Sequence, residues 1–374
     1  MFMPEQISRL NALKHGQNPQ GGGTARRIQF THPYEDIISV ENLLAAWREF
    51  VRGKRKKEDV QEFQYCLMDN IIALHRDLAA ETYKHGSYEA FKISDPKPRD
   101  IHKALVRDRL LHHALYRKLY PFFDRTFIAD SYSCRKGKGT HRAMNRFRQF
   151  AYKVSKNHTR TCWVLKCDVR KFFASIDHAV LNDIVCRYIP DKRIVALITE
   201  VVGSFRSEHT PCLSHPTGRD KQESQTPLIG LPLGNLTSQL LVNIYMNEFD
   251  QFVKHMLKVT YYVRYADDFV FLSASRPDLD ALLPCIRGFL TTRLRLALHP
   301  DKVFIKTYAS SVDFLGWVHF PDHRVLRTAT KRRMMRNLDD DTFDARVESY
   351  RGLLGHGNAR KLITQVIVDR RLGA

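Results

Sequence analysis

Apolar residues recur at intervals of three and four through much of the first third of the chain. From Val40 to about Ala80, "ENLLAAWREFVRG" and "VQEFQYCLMDNIIALHRDLAAETY" keep this spacing, with Phe63, Leu67, Ile71 and Leu74 on one stripe, and predict helices. The basic run Lys54 to Lys57 between them reads as a solvated inter-helix turn. "SYEAFKISDPKPRDIHKALVRDRLLHHALYRKLYPFFD" predicts a strand, a proline turn and a helix. "RTCWVLKCDVRKFFASIDHAVLNDIVCRYI" predicts a buried strand and then a helix capped by Asp177. The polar stretch "GSFRSEHTPCLSHPTGRDKQESQTP", punctuated by Pro and Gly, reads as a long loop. "LTSQLLVNIYMNEFDQFV" places Leu241, Ile244, Tyr245, Glu248, Phe249 and Phe252 at helical spacing. A helix from Asp278 to Arg293 follows and contains Pro284; strands "FIKTY" and "DFLGWVHF" precede a basic helical tail from about Thr328. There is no internal repeat. Strands separated by helices in mixed order predict an α+β core flanked by helical lobes.

One short interruption stands out. "YYVRYADDFVFL", Tyr261 to Leu272, reads as two buried strands joined by a very tight turn. A turn accounts for one aspartate, because Asp bonds its own backbone and tolerates left-handed geometry. It does not ask for two, nor for the absence of Gly and Asn. Far upstream, Asp168 ends the apolar strand "CWVLKCDV" as a lone carboxylate. An unpaired buried charge costs several kcal/mol, so Asp168 needs a cation. A salt bridge to Lys166, together with a solvated acidic hairpin tip, is the bland solution. The sharper one gathers Asp168, Asp267 and Asp268 around divalent metal; carboxylate and water ligands suit Mg²⁺ shared with a substrate's phosphates.

Charge narrows the partners. The 374 residues carry 60 Lys and Arg against 40 Asp and Glu, a net +20, with a pI near 9.7. Such an excess favours polyanions, and nucleic acid before membrane, since no basic amphipathic helix has a clean apolar face. At 43% hydrophobic and 27% charged the chain can build two or three lobes. No stretch approaches the ~18 apolar residues of a membrane span, and the start lacks the basic-then-apolar order of a signal peptide. The seven cysteines, Cys66, Cys134, Cys162, Cys167, Cys186, Cys212 and Cys285, form no CxxC pair. They read as reduced packing residues of a cytoplasmic protein.

Several neighbours suit a nucleotide site, each with a plainer alternative. Phe173, in "DVRKFF", is a core ring or one that stacks under a sugar. "SCRKGKGTHR" sets Arg135, Lys136 and Lys138 around two glycines, where cations and exposed backbone can meet phosphates. It lacks the order of a Walker loop. "GLPLGNLTSQ" puts Gly230 and Gly234 ahead of a helix whose N-terminus favours anions; the plain reading is a loop capped by Asn235 or Thr237. Lys302 reaches a triphosphate or decorates the surface. Arg107 and Arg109 pair with Asp108 and Asp124 or meet a nucleic-acid backbone.

In order, "LVRDRLLHHAL", "SYSCRKGKGTHRA", "LKCDVRKFF", "GLPLGNLTSQ", "YYVRYADDFVFL", "LRLALHPDK" and "VDFLGW" resemble the motifs of reverse transcriptases. The resemblance implies an α+β right-hand polymerase fold with fingers, a palm (an antiparallel sheet backed by helices) and a short helical thumb. It divides the chain into a flexible arm (1–35), an N-terminal helical extension leading into the fingers (36–100), fingers (101–160), a palm (161–320, with a fingers-side loop at about 203–230) and a thumb (321–374). It implies two Mg²⁺ ions, or Mn²⁺ in their place, on Asp168, Asp267, Asp268 and the Val169 carbonyl. Phe173 becomes the sugar-selecting ring and Lys302 the triphosphate contact. Arg135, Lys136, Lys138, Leu233, Gly234 and Gln239 join them around the nucleotide, while Arg107, Arg109, Tyr265, Gly316 and Trp317 touch nucleic acid.

One departure points to a subfamily. Most reverse transcriptases have Gln between the Pro and Gly of the fourth motif, and here it is Leu233. With "GNLTSQ", "CRKGKGTH" and the tail "YRGLLGHGN", this resembles the enzymes of diversity-generating retroelements. That resemblance implies error-prone cDNA synthesis from a template-repeat RNA, dNTP substrates, a cDNA/RNA duplex and an accessory pentameric helical-bundle variability protein. A Gln can brace the nascent pair by hydrogen bonding and Leu cannot. The rival readings are an antiphage or retron-type reverse transcriptase, and an inactive basic RNA-binding protein. An intact acidic triad argues against the last, since a binder of RNA gains nothing from negative charge in a phosphate channel.

Overall fold

The computed structural model describes residues 28–93, 98–207, 228–336, 350 and 352–358. The arm expected at 1–35 lies mostly outside this set, as do most of the loop at 203–230, Cys212, and the tail apart from α11 (Thr328–Arg336) and residues 350 and 352–358. Among the described residues four helices come first: α1 (Tyr34–Ile38), α2 (Val40–Phe50), α3 (Glu58–Tyr65) and α4 (Leu67–Ala79). The stripe read across Phe63 to Leu74 is interrupted at Cys66, whose φ of −111° and ψ of 43° separate α3 from α4. Residues 54–57 form the expected turn.

The expected single strand before the long helix is a hairpin, β1 (Tyr88–Ile93) paired antiparallel with β2 (Arg99–Ala104). Helix α5 (Val106–Asp124) follows, then α6 (Thr140–Val154) and β3 (Trp163–Asp168). Asp177 caps α7 (His178–Cys186), its carboxylate accepting from the Val180 N–H at 3.0 Å. Helices α8 (Lys192–Gly203) and α9 (Leu236–Gln251) lead to the hairpin β4 (Tyr262–Tyr265) and β5 (Asp268–Ser273). Next come α10 (Arg276–Leu294), which runs through Pro284, and β6 (Phe304–Thr307). "DFLGWVHF" is not one strand. It folds back at Leu315 (φ 53°) and Gly316 (φ 85°) to make β7 (Val312–Phe314) and β8 (Trp317–His319), joined by β9 (Arg324–Leu326).

The central sheet has the order β4-β5-β3-β6, antiparallel throughout. Alternation gives it two different faces. Leu165, Cys167, Phe269, Phe271 and Tyr262 face the larger core, which α9 and α10 complete with Tyr245, Phe249, Ile286 and Leu290. Val164, Val263, Val270 and Leu272 face a smaller core of Phe147, Phe150, Val312 and Phe314 from α6 and β7. Burying Phe, Val and Leu side chains on both faces is worth roughly 1.5–3 kcal/mol each, which is why these strands read as nearly continuous apolar runs. Among the described residues no helix is long and apolar enough to cross a membrane.

Candidate active site

The site grows from the register of three strands. Asp168 is the last residue of β3 and Asp268 the first of β5, and they are direct partners across the ladder. Asp267 precedes Asp268 in the turn. That turn contains only Ala266 and Asp267, with Ala266 at a left-handed φ of 55°. The Asp267 carbonyl accepts from the Val169 N–H at 3.2 Å, which ties the turn to the end of β3. Residues 164, 166 and 168 of β3 share a face with 268, 270 and 272 of β5. The Asp168 and Asp268 carboxylates therefore emerge on the side of α6 and β7.

Two lysines answer this charge. Lys166 Nζ lies 3.4 Å from Asp268 Oδ2 and donates to the Asp313 carbonyl at 2.9 Å. Lys302 Nζ lies 3.0 Å from Asp168 Oδ1. Backbone placement explains the second pair: the His299 N–H donates to the Asp168 carbonyl at 2.8 Å, and the Pro300–Lys302 turn follows directly. The cation expected from Lys166 for Asp168 thus serves Asp268, and Lys302 serves Asp168. Burial pushes the Asp268 carboxyl up to about 7; Asp168 and Asp267 add to the rise and Lys166 opposes it. Asp267 is raised for the same reasons, burial first and Asp168 second.

The described residues hold no preformed cluster of three His, Cys, Asp or Glu side chains set to grip a metal. The donor chemistry nonetheless fits a divalent cation. Asp268 Oδ1 is buried without a hydrogen-bond partner, and burial, aided by the neighbouring carboxylates, already raises two of the three carboxyls. Oxygen ligands in this state accept a hard cation readily.

Other expected residues arrange themselves around this centre. Phe173, half-buried, follows β3 in a short 3₁₀ turn, and its carbonyl accepts from the Leu231 N–H at 2.8 Å. That bond brings the "GLPLGN" loop beside the site. Leu233 gives its carbonyl to the His102 N–H at 3.1 Å, and Gly234, at φ 106°, lies so near β2 that a Cβ would stand 3.0 Å from Ile101. Asn235 starts α9 without a side-chain cap and donates instead to the His102 carbonyl at 3.2 Å. Gln239 sits in the first turn of α9. Tyr265, on the site face, receives a hydrogen bond from Thr140 at 3.2 Å.

The remaining candidates are held by protein. Arg135 is turned inward, bonding Asp124 at 2.7 Å and the carbonyls of Ile128 and Ser131. Lys138 donates to the Ala129 carbonyl at 2.7 Å, and Lys136 lies over the Tyr120 ring. Arg107 pairs with Asp77 at 2.5 Å and Arg109 with Asp59, rather than with Asp124. Trp317 is only 2% exposed, and its ring lies against Gly357, while Gly316 makes the β7–β8 turn. Sequence reasoning missed Arg264 and Asp250, whose buried pairing stands behind the turn. The available signal was a lone arginine inside "YYVRY" and an aspartate ending an apolar helix.

A family model described as reverse transcriptase (RNA-dependent DNA polymerase) matches residues 94–319. Protein YkfC of Escherichia coli (strain K12) is 26% identical over 275 residues, covering 65% of this chain and 67% of that protein. Group II intron-encoded protein LtrA of Lactococcus lactis subsp. cremoris is 22% identical over 304 residues, covering 65% of this chain and 47% of that protein. The putative COX1/OXI3 intron 2 protein of Saccharomyces cerevisiae is 20% identical over 288 residues, 62% of this chain and 30% of that one. The chain therefore spans about two-thirds of the first relative and less than half of the other two.

Proposed function

The chain belongs to the reverse transcriptase (RNA-dependent DNA polymerase) family, and on that premise we propose that it copies an RNA template into DNA. The carrying observation is the Asp168–Asp268 register pair with Asp267 beside it in a two-residue turn. Asp168, Asp267, Asp268 and the Val169 carbonyl would hold two Mg²⁺ ions. When bound, such ions make a primer 3′-hydroxyl easier to deprotonate and neutralise charge on the departing pyrophosphate. The chain's own groups do the rest. Lys302, paired with Asp168 at 3.0 Å, would exchange that carboxylate for a triphosphate. Phe173 bars a ribose 2′-hydroxyl. The backbone of Leu233 and Gly234, fixed to β2, lines the nascent pair. In this reading the central sheet is the palm, with fingers at 101–160 and the thumb beyond 321.

The test is primer extension on a defined RNA with Mg²⁺. Asp267→Asn and Asp268→Asn should each lower the rate by about a thousandfold while RNA affinity stays within about twofold. Near-normal extension by either variant would remove the metal assignment.

Leu233 supports a narrower reading: mutagenic copying of a template repeat, as in diversity-generating retroelements, assisted by a pentameric accessory protein. Without a Gln amide to brace the base pair, mispairs opposite adenine are rejected less strictly. Sequencing of the cDNA should show Leu233→Gln lowering errors opposite template adenine by about tenfold. An unchanged spectrum would favour a retron-type or antiphage enzyme.

A further inference from the structure

Arg264 is buried completely, at 0% exposure, in the second residue position before the turn. It lies on the face of β4 opposite Tyr265, so it points away from the carboxylates and into α9. A buried guanidinium requires a counter-charge, and Asp250 near the end of α9 provides a two-pronged one. Arg264 Nη2 donates to Asp250 Oδ2 at 2.6 Å and Nε to Oδ1 at 2.8 Å. Tyr262 also donates to Asp250 Oδ1, at 2.7 Å. The remaining donors reach three other places: the Ala266 carbonyl at 3.1 Å, Ser131 Oγ at 3.1 Å and Asn243 Oδ1 at 3.4 Å.

A buried ion pair is commonly no more stabilising than well-packed apolar residues of similar volume. Its geometry here gives a different reason for it. Ala266 precedes Asp267 and holds an unfavourable left-handed φ. On one side of Asp267, the Ala266 carbonyl is held by Arg264. On the other, the Asp267 carbonyl is held by the Val169 N–H. Both peptides flanking Asp267 are therefore fixed, one by a β4 side chain and one by the backbone just after β3. Arg264's own backbone completes the frame, its N–H donating to the Asp130 carbonyl and its carbonyl accepting from the Tyr132 N–H, both at 3.0 Å.

We propose that Arg264, anchored by Asp250, is a positioning residue: its guanidinium grips the Ala266 carbonyl and sets the direction in which the turn presents the Asp267 carboxylate. This rests on the polymerase reading of the turn.

Removing one partner alone would strand a buried charge, so the informative variant is the uncharged double substitution Arg264→Met with Asp250→Asn, made in the full chain. Three quantities decide the matter: single-nucleotide incorporation with its apparent dNTP affinity, Mn²⁺ affinity by electron paramagnetic resonance, and thermal unfolding. The double variant should melt within about 5 °C of wild type. Its incorporation rate should fall by about a hundredfold, as a misplaced reacting group would cause, with apparent dNTP affinity changing less than about threefold. Mn²⁺ binding should weaken by about tenfold, the usual scale for a lost outer support. Arg264→Lys keeps the charge without the fork and should stay at least about tenfold slow. Wild-type Mn²⁺ affinity and rate in the double variant, or full recovery in the lysine variant, would overturn the proposal. A folded wild-type chain that extends no primer would instead sink the polymerase reading, and the Mn²⁺ comparison would still decide the role of Arg264.

Discussion

Ala266 carries more of the site's geometry than its size suggests. It is neither Gly nor Asn, yet it holds φ 55° between the two strands. An L-residue in this region costs roughly 1–2 kcal/mol, and a branched Cβ worsens the clash with its own backbone. Alanine is the smallest side chain that still shapes the turn. Ala266→Val should therefore lose about 1–2 kcal/mol of stability beyond wild type and slow primer extension by at least about tenfold. Chemical denaturation and extension on the same preparation would check this. Wild-type behaviour in both would mean the turn accepts other conformations. The aspartates beside Ala266 were legible because they broke two apolar runs. The strain was not, since nothing in "YADDF" announces a left-handed alanine. Arg264 and Asp250 were not legible as a pair either: each has an ordinary local setting, and only the fold brings them together.

At the level of elements, periodicity served where an element was long and two-faced, and failed where it was short. The stripes of α2, α4, α5 and α9 and the apolar runs of β3 and β5 were readable because one face of each meets a large core. β7 and β8 have three residues apiece, too few for a period of two to show, and the mostly apolar "VDFLGWVH" reads as one run. Only Gly316 marked the reversal. What decides the hairpin is tertiary: the buried Trp317 ring lies against Gly357. The Asn358 N–H donates to the Arg324 carbonyl at 2.9 Å, and His356 stacks on His141 with ring centres 3.5 Å apart. At Gly357 an added Cβ would stand 2.0 Å from one Trp317 ring carbon and 2.6 Å from another. The ring is only 2% exposed, and neither it nor the backbone can yield that much. Gly357→Ala should displace this segment at a cost of about 1–3 kcal/mol. The displacement should appear as a red shift in Trp317 emission, read against a Trp317→Phe control because the chain has 3 Trp. Unshifted emission with unchanged stability would show that the ring is not covered in this way.

Across the whole molecule, buried histidines set the response to acid. Burial lowers His112 to about 3, helped by His85, and lowers His113 to about 4, helped by Lys54. Burial also lowers His319 to about 4, against a hydrogen bond to the Phe314 carbonyl that favours the charged form. Two sit on α5 and the third on β8, so the effect belongs to no single element. In the unfolded chain each takes up a proton near its ordinary 6.5, whereas the folded chain keeps it neutral to 3 or 4. The unfolded state therefore binds more protons in that window. Stability is present above about 6.5 and is lost as pH falls through it. By pH 5 the loss should be roughly 1–2 kcal/mol per histidine, at about 1.4 kcal/mol per pH unit. Asp268 works with the opposite sign, since protonation near 7 relieves its burial. The diagnostic quantity is accordingly a difference: denaturation of wild type and His112→Leu, both at pH 7 and pH 5. His112→Leu should lose less stability between the two than wild type does, by about 1–2 kcal/mol. Equal losses would mean that His112 titrates as freely in the folded chain as in the unfolded one.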